Sequence, residues 1–313
     1  MVGGSIMAII NGIIRKMAGS VGDFTFKQLN GQTIVSEKVT NVHNPRTEAQ
    51  MKTRTKFTNI VAMYSLIRPR LRKAFETKPA GVSDYNMFMK VNMQKEPVYL
   101  TKQQVAGGAC VVAPYQITQG SLPAIVVTGS GQNAATDIRL GGLSINASTT
   151  IAELSQAIVQ NNPNFKYGDQ LSYFIVRQYV NADTLIPYAT CDACALVLDA
   201  TNDDEAWDVL IQGGFSSVDG KLGHSGNDGD CAYGWVHTRK VNGKLLISSQ
   251  SLVSANTKLA DYQGDIAYTL ARTSYGISED VFLSPVGGGS ASNDNGGDNS
   301  GGGNEGGGEG GGL

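Results

Sequence analysis

The residues best suited to chemistry in this 313-residue chain are its four cysteines and three histidines. Cys191 and Cys194 form a C-x-x-C pair, with His224, Cys231 and His237 downstream. Thiolates at that spacing can hold zinc, but the downstream intervals match no zinc-finger pattern. The surrounding TCDACALVLDA runs into a strand-like segment, where Cys194 reads as a small buried hydrophobe. Cys191, Cys194 and Cys231 are therefore weak metal candidates, structural thiols are the simpler reading, and no metal or other cofactor is expected. The second concentration is the loop VDGKLGHSGNDGDCA (218–232), which gathers Asp219, His224, Asn227, Asp228 and Asp230. Oxygen ligands at 227, 228 and 230 could hold calcium, yet the spacing and terminal glutamate of an EF-hand are missing. An ordinary Asp/Gly turn explains the composition better.

Nothing else has the arrangement of a catalytic site. There is no G-x-S-x-G to present a nucleophile, no G-x-x-x-x-G-K-[ST] for phosphates and no H-E-x-x-H for zinc hydrolysis. His43, His224 and His237 are the only histidines available as general bases. An enzyme is not expected.

The best-signalled element is the basic stretch 43–77, HNPRTEAQMKTRTKFTNIVAMYSLIRPRLRKAFET. Asn44 suits an N-cap, Pro45 the first helical position, and Glu48 adds negative charge to the first turn. Phe57, Ile60, Val61, Tyr64 and Ile67 recur at helical spacing and predict one apolar packing face. Pro69 should break the helix, because it pushes Arg68 away from α geometry. A short second segment then carries Leu71 and Phe75, and Ser83 or Asp84 should cap a third helix through Met87, Phe88 and Val91. The cations Arg46, Lys52, Arg54, Lys56, Arg68, Arg70, Arg72 and Lys73 form the candidate contact surface for a polyanion or an acidic protein partner.

Around this element the charge is unevenly spread. Residues 1–100 hold 15 Lys and Arg against 6 Asp and Glu, a net of +9, and residues 101–313 hold 10 against 21, a net of −11. A basic head with an acidic remainder suits a polyanionic partner, or pairing between neighbouring copies. No apolar run approaches the twenty residues of a membrane span. Ile6–Ile14 is too short, and its charges lie on the wrong side, for a classical signal peptide. The run MAIINGI makes Met7 the expected natural start.

Further along, 24–38 (FTFKQL-NG-QTIVSEK) is a hairpin around Asn30-Gly31, and a second Asn-Gly hairpin joins Tyr233–Val241 to Lys244–Leu252. Residues 109–142 favour β structure, and Thr150–Glu153 is a capping box opening a helix through Ile158. Leu171–Val180 and Ala195–Leu198 read as strands of a half-buried sheet. Asp203, Asp204 and Glu205 suit a helix N-terminus ahead of Trp207, Val209 and Leu210. A last helix spans about Leu259–Ser274, with Ile266, Leu270 and Ala271 inward. From Gly287 onward the chain is almost all Gly, Ser, Asn, Asp and Glu, a composition expected to be disordered. The expected class is α+β: a basic hairpin-plus-helical domain (1–98), a β-rich α+β domain with a few helices (99–286) and a disordered acidic Gly-rich tail (287–313).

Three phrases, KMAGSVGDFTFKQLNGQTIVSEK, VHNPRTEAQMKTRTKFTNI and YNMFMKVN, resemble an uncharacterised family of Bacteroidetes proteins and their phages. Gly19, Val21, Gly22, Asn44, Pro45, Arg46, Thr47, Ala49, Gln50 and Phe57 carry the likeness, which is specific over about residues 11–92. The opening hairpin lacks the tryptophan often seen in that family. The resemblance implies no known activity. It implies a virion or assembly component, in a virion or the bacterial cytoplasm, that associates with copies of itself or with other particle proteins. Nucleic-acid binding through 45–77, and metal or ligand binding on the β-rich middle, are the alternatives.

Overall fold

A computed structural model describes residues 7–10, 18–29, 32–38, 48–71, 73–95, 97–129, 134–206, 214–226, 228–254 and 258–275. The chain divides into two compact units, residues 1–46 and 47–313. The expected N-cap Asn44, the helix at Trp207–Leu210 and the Gly-rich tail lie outside the described residues.

The first unit is a four-stranded antiparallel sheet in the order β1-β4-β3-β2, from Met7–Ile10 (β1), Gly19–Val21 (β2), Phe24–Leu29 (β3) and Gln32–Glu37 (β4). Leu29 faces Gln32 across β3 and β4, so the ladder leaves only Asn30 and Gly31 to connect them, the loop length that an Asn-Gly pair favours. Val21 faces Phe24 across an equally short β2–β3 turn, where Gly22 takes φ +57° without the penalty a Cβ would add.

In the second unit, α1 (Glu48–Ile67) ends where Pro69 dictates, passing into a 3-10 turn over Arg68–Arg70. Ser83 caps α2 (Asp84–Asn92), accepting the Asn86 amide. The segment between them is extended rather than helical, and Phe75 pairs with Gln119 in a parallel bridge. These helices, expected to belong with the N-terminal hairpin, share one core with the β-rich body. Ile60, Met63, Ile67, Phe75 and Phe88 pack with Val111, Ile117, Phe174, Val176 and Val236.

That body is built on two long strands, β8 (Gln170–Val180) and β12 (Cys231–Val241). They lie inside a five-stranded antiparallel sheet with β9 (Pro187–Val197) at one edge and β13 (Lys244–Ile247) and β15 (Val253–Ser254) along the other side of β12. Residues 171–176 of β8 are all buried, because both sheet faces are covered, not one as the alternation suggested. On one face stands the α1–α2 core. On the other, Tyr173, Ile175, Tyr233 and Trp235 pack against Leu154 and Ile158 of α4 (Ile151–Asn161) and Ile138 and Leu222 of a second sheet. The second sheet runs β10-β11-β7-β6, from Ser216–Val218 (β10), Lys221–Gly223 (β11), Ala135–Arg139 (β7) and Val127–Thr128 (β6). The capping box at Thr150/Glu153 forms as expected. The carbonyls of Asp204 and Asn202 accept the Ile151 and Ala152 amides, so the first turn of α4 is not left with orphan donors. Asn242 and Gly243, at φ +50° and +77°, form the second Asn-Gly turn.

Three buried asparagines join helices to extended backbone by one device. Asn59 of α1 donates to the Val111 carbonyl (2.8 Å) and accepts the Val111 amide (2.8 Å). Asn92 of α2 does the same at Gln116 (2.9 and 2.8 Å), and Asn162, just after α4, at Arg139 (2.8 and 2.9 Å). A primary amide presents the same donor and acceptor as a neighbouring peptide, so each asparagine stands in for an absent strand. Residues 111–116, expected as β structure, are held this way between α1, α2 and Gln178, whose Oε1 accepts the Val112 amide.

The clamp at Asn59 also explains a correction on α1. Its buried positions are Thr55, Asn59, Ile60, Met63 and Ile67, whereas Phe57 is 41% exposed and Val61 and Tyr64 only half-buried. The inward face is turned by roughly 100°, one residue, from the apolar stripe. A similar correction applies to α5 (Gly264–Ser274): Ala267 and Ala271 face inward, while Ile266 and Leu270 are 81% and 61% exposed. Small residues let this helix sit close to Tyr99, whose ring lies 5.0 Å from that of Tyr268.

Candidate functional site

The exposed end of α1 carries a cleft near the sequence-predicted contact residues. Tyr64, Ser65, Arg68, Pro69, Ser83 and Tyr85 line a cleft of about 690 Å³. Tyr64 meets Tyr85 edge-to-face (centroids 5.2 Å) and lies 5.2 Å from Phe88, which in turn meets Tyr115 at 6.3 Å. The Tyr115 hydroxyl accepts from Asn59 at 3.0 Å, so this aromatic chain runs from the cleft into the core and holds its two tyrosines in place. Burial, reinforced by Asp84, raises the Tyr64 hydroxyl above the usual tyrosine range. Asp84 pairs with Lys78 at the start of α2 and accepts the Ala74 amide at 3.2 Å.

The described members of the predicted cation set lie along α1 and the segment after it. Arg68 and Arg70 are exposed around Pro69, Arg70 near enough to Cys191 to influence it. Arg54 is exposed at the other end of α1, where it and Lys102 act on Tyr275. Lys56 and Lys73 are half-buried, and Lys73 is close enough to Glu76 to act on it. Arg46, Arg72 and the Lys52 side chain lie outside the described residues. Of the expected packing set, Ile60 and Ile67 are core, Val61 and Tyr64 partly so, and Phe57 faces solvent.

His224 and His237 sit in closed networks that sequence reasoning missed, because their hydrogen-bond partners lie 51 and 68 residues away along the chain; His43 lies outside the described residues. His224 is 1% exposed. Its Nδ1 is 2.8 Å from the Tyr173 hydroxyl and its ring stacks on Tyr233. Its Nε2 is 2.9 Å from Asp228 at an angle too oblique for a hydrogen bond. Burial lowers the His224 pKa despite Asp228, and burial raises that of Tyr173, so a protonated hydroxyl faces a neutral ring. Asp228 is engaged by Arg177 Nε at 2.7 Å, and Arg177 also reaches Asp192 at 2.8 Å. His237 is likewise buried, its Nε2 2.8 Å from Asp169 and its ring stacked 4.4 Å from Phe165. Asp169 takes two bonds from Arg239 (2.7 and 2.6 Å) and the Lys166 amide. Burial would raise its pKa, but these donors hold it below the usual carboxylate range.

These pairings dispose of the calcium reading of the Asp/Gly loop. Asp219 and Gly220 turn between β10 and β11, Asp228 points at Arg177, and Asp230 pairs with Lys258 at 2.9 Å. Asn227 lies outside the described residues. Asp228 and Asp230 are thus spent on cations from two different elements, Arg177 of β8 and Lys258.

The C-x-x-C pair falls within β9, where a spacing of three puts its thiols on opposite faces. Cys191 packs into the α1–α2 core and Cys194 against the Trp235 side. Burial pushes Cys110 and Cys194 to about 12, and Cys191 and Cys231 to about 11. Among the described residues, no group of three or more His, Cys, Asp or Glu could hold a metal ion. No described helix is long and apolar enough to cross a membrane.

Residues 14–150 match a family of unknown function (DUF6266), a stretch that takes in β2–β4, α1, α2 and the Asn59 and Asn92 clamps and ends at the cap of α4. No curated protein and no solved structure matches the chain.

Proposed function

We propose that this chain is a non-enzymatic structural or assembly protein that associates with copies of itself or packs against other proteins of a particle. A phage- or prophage-derived virion is the setting suggested by its N-terminal resemblance. The observation that carries the reading is the cleft at the end of α1. Tyrosine and arginine dominate the energetics of protein interfaces, and Tyr64 and Tyr85 present their rings from a core-anchored aromatic chain beside Arg68. Rings already ordered lose little freedom on binding, which favours association. His224, His237, Asp228 and Asp230, by contrast, are held by other side chains of the fold, an arrangement that suits stability more than turnover.

The test is molar mass by light scattering across a salt series, with the absorbance ratio followed for bound nucleic acid. A discrete oligomer free of nucleic acid, weakened by Arg68→Glu, is the expected result. A monomer that carries nucleic acid at low salt and sheds it at high salt would overturn the reading in favour of phosphate contacts by Arg68 and Arg70. A monomer at every salt, binding neither itself nor nucleic acid, would overturn self-association.

A further inference from the structure

Strand β9 ends the five-stranded sheet, and among the described residues its outer edge is open in a way that selects a partner. Bonds from the Asn181 amide to Ile186 and from the Leu198 amide to Asp169 show that even-numbered residues of β9 turn their backbone groups toward β8. The odd-numbered residues turn theirs outward. At one end this outer edge is closed, since the Pro187 carbonyl accepts the Cys110 amide and Cys191 is 2% exposed. At the other end the Asp199 amide is taken by Ser155 at 3.0 Å. Between them Ala193, Ala195 and Val197 are exposed, and among the described residues their outward N–H and C=O groups make no hydrogen bond.

Edge strands are normally guarded by lysine, proline or a bulge, and the 193–197 stretch has none of these. The one charge in β9, Asp192, is neutralised by Arg177 of its own chain. We propose that two copies of this chain pair antiparallel through this edge, about a two-fold axis at Ala195. The open stretch has Ala195 as its midpoint, so this register alone matches all of it with its copy. Ala195 faces Ala195, and Ala193 faces Val197 twice, for about six new backbone bonds. The facing side chains are small and uncharged. Each Asp192 falls opposite Leu198 of the other copy, so no like charges meet. The result joins two five-stranded sheets into one.

The inference deepens the self-association reading, and the experiment separates their failures. Light scattering would compare the full chain with Ala195→Pro, which removes an outward amide that makes no hydrogen bond among the described residues, and with Val197→Lys. Circular dichroism would verify that both variants fold. An oligomer whose mass is halved by either variant is expected. An oligomer unchanged by both would overturn edge pairing while leaving self-association intact, and a monomeric parent chain would overturn both. If a variant fails to fold, hydrogen exchange on the parent chain decides. The amides of Ala193, Ala195 and Val197 should exchange about tenfold or more slowly in the oligomer than on dilution, and equal rates would sink the proposal.

Discussion

At the residue scale, a few buried polar groups carry disproportionate weight. Asn59 satisfies both backbone groups of Val111, so Asn59→Ala would leave a buried donor and acceptor without partners. A loss of about 2–4 kcal/mol is expected, read as a lower urea midpoint with an unchanged slope. His224 and His237 have folded-state pKa values below 6.5, chiefly through burial. The unfolded chain therefore takes up protons first as pH falls, and stability present above about 6.5 should decline below it. Asp169 and Glu76, both lowered, add a second loss as pH falls through and below about 4. Thermal midpoints measured from pH 8 to 2 should stay flat above 7 and fall in two stages. The three buried thiols and the partly buried Cys194 should be inert at pH 8: a thiol-reactive chromophore should find no fast phase in folded protein and four cysteines after denaturation. A fast-reacting thiol would show that one of them reaches solvent. None of these partnerships was legible in advance, because an asparagine or histidine in sequence does not reveal what lies across the core from it.

At the element scale, local chemistry was read well and orientation was not. Pro69, Ser83, the Thr150 capping box and both Asn-Gly turns act within a few residues of themselves, and the elements end where these residues say. Which side of α1 or α5 faces inward depends on what packs there. A buried Asn59 and two alanines outcompete Phe57, Ile266 and Leu270 for the inward positions. Close packing of β8 also reaches beyond the strands. A Cβ at Gly214 would stand 2.1 Å from the Tyr173 ring, and the Gly214 carbonyl accepts from Trp235 Nε1 at 2.7 Å. Gly214→Ala should therefore cost more than about 2 kcal/mol, measured by chemical denaturation, whereas Ala195→Lys on the open edge should leave monomer stability nearly unchanged.

At the scale of the whole molecule, the second unit is a single sheet covered on both faces. One cover comes from the basic helices and the other from α4 and the β6–β7–β10–β11 sheet. The boundary expected near residue 98 follows the change in composition, but the helices on one side of it and the strands on the other bury each other's apolar surface. If edge pairing of β9 joins two such bodies, molar mass should fall toward the monomer on dilution and respond little to salt, since the contacts are backbone bonds. Any salt-dependent step in the mass beyond that pairing is expected to come from Arg68 and its neighbours at the α1 cleft. The α+β class, the hairpins, the caps of α2 and α4 and the C-terminal end of α1 were determined by the sequence alone, because each rests on backbone preferences or hydrogen bonds spanning a handful of residues. Only the tertiary structure decided that C-x-x-C lies flat in a strand with its thiols on opposite faces. The same holds for the loop aspartates, which answer distant cations, and for the open edge left by β9. Those outcomes depend on partners brought together from tens of residues away, about which a one-dimensional pattern carries no information.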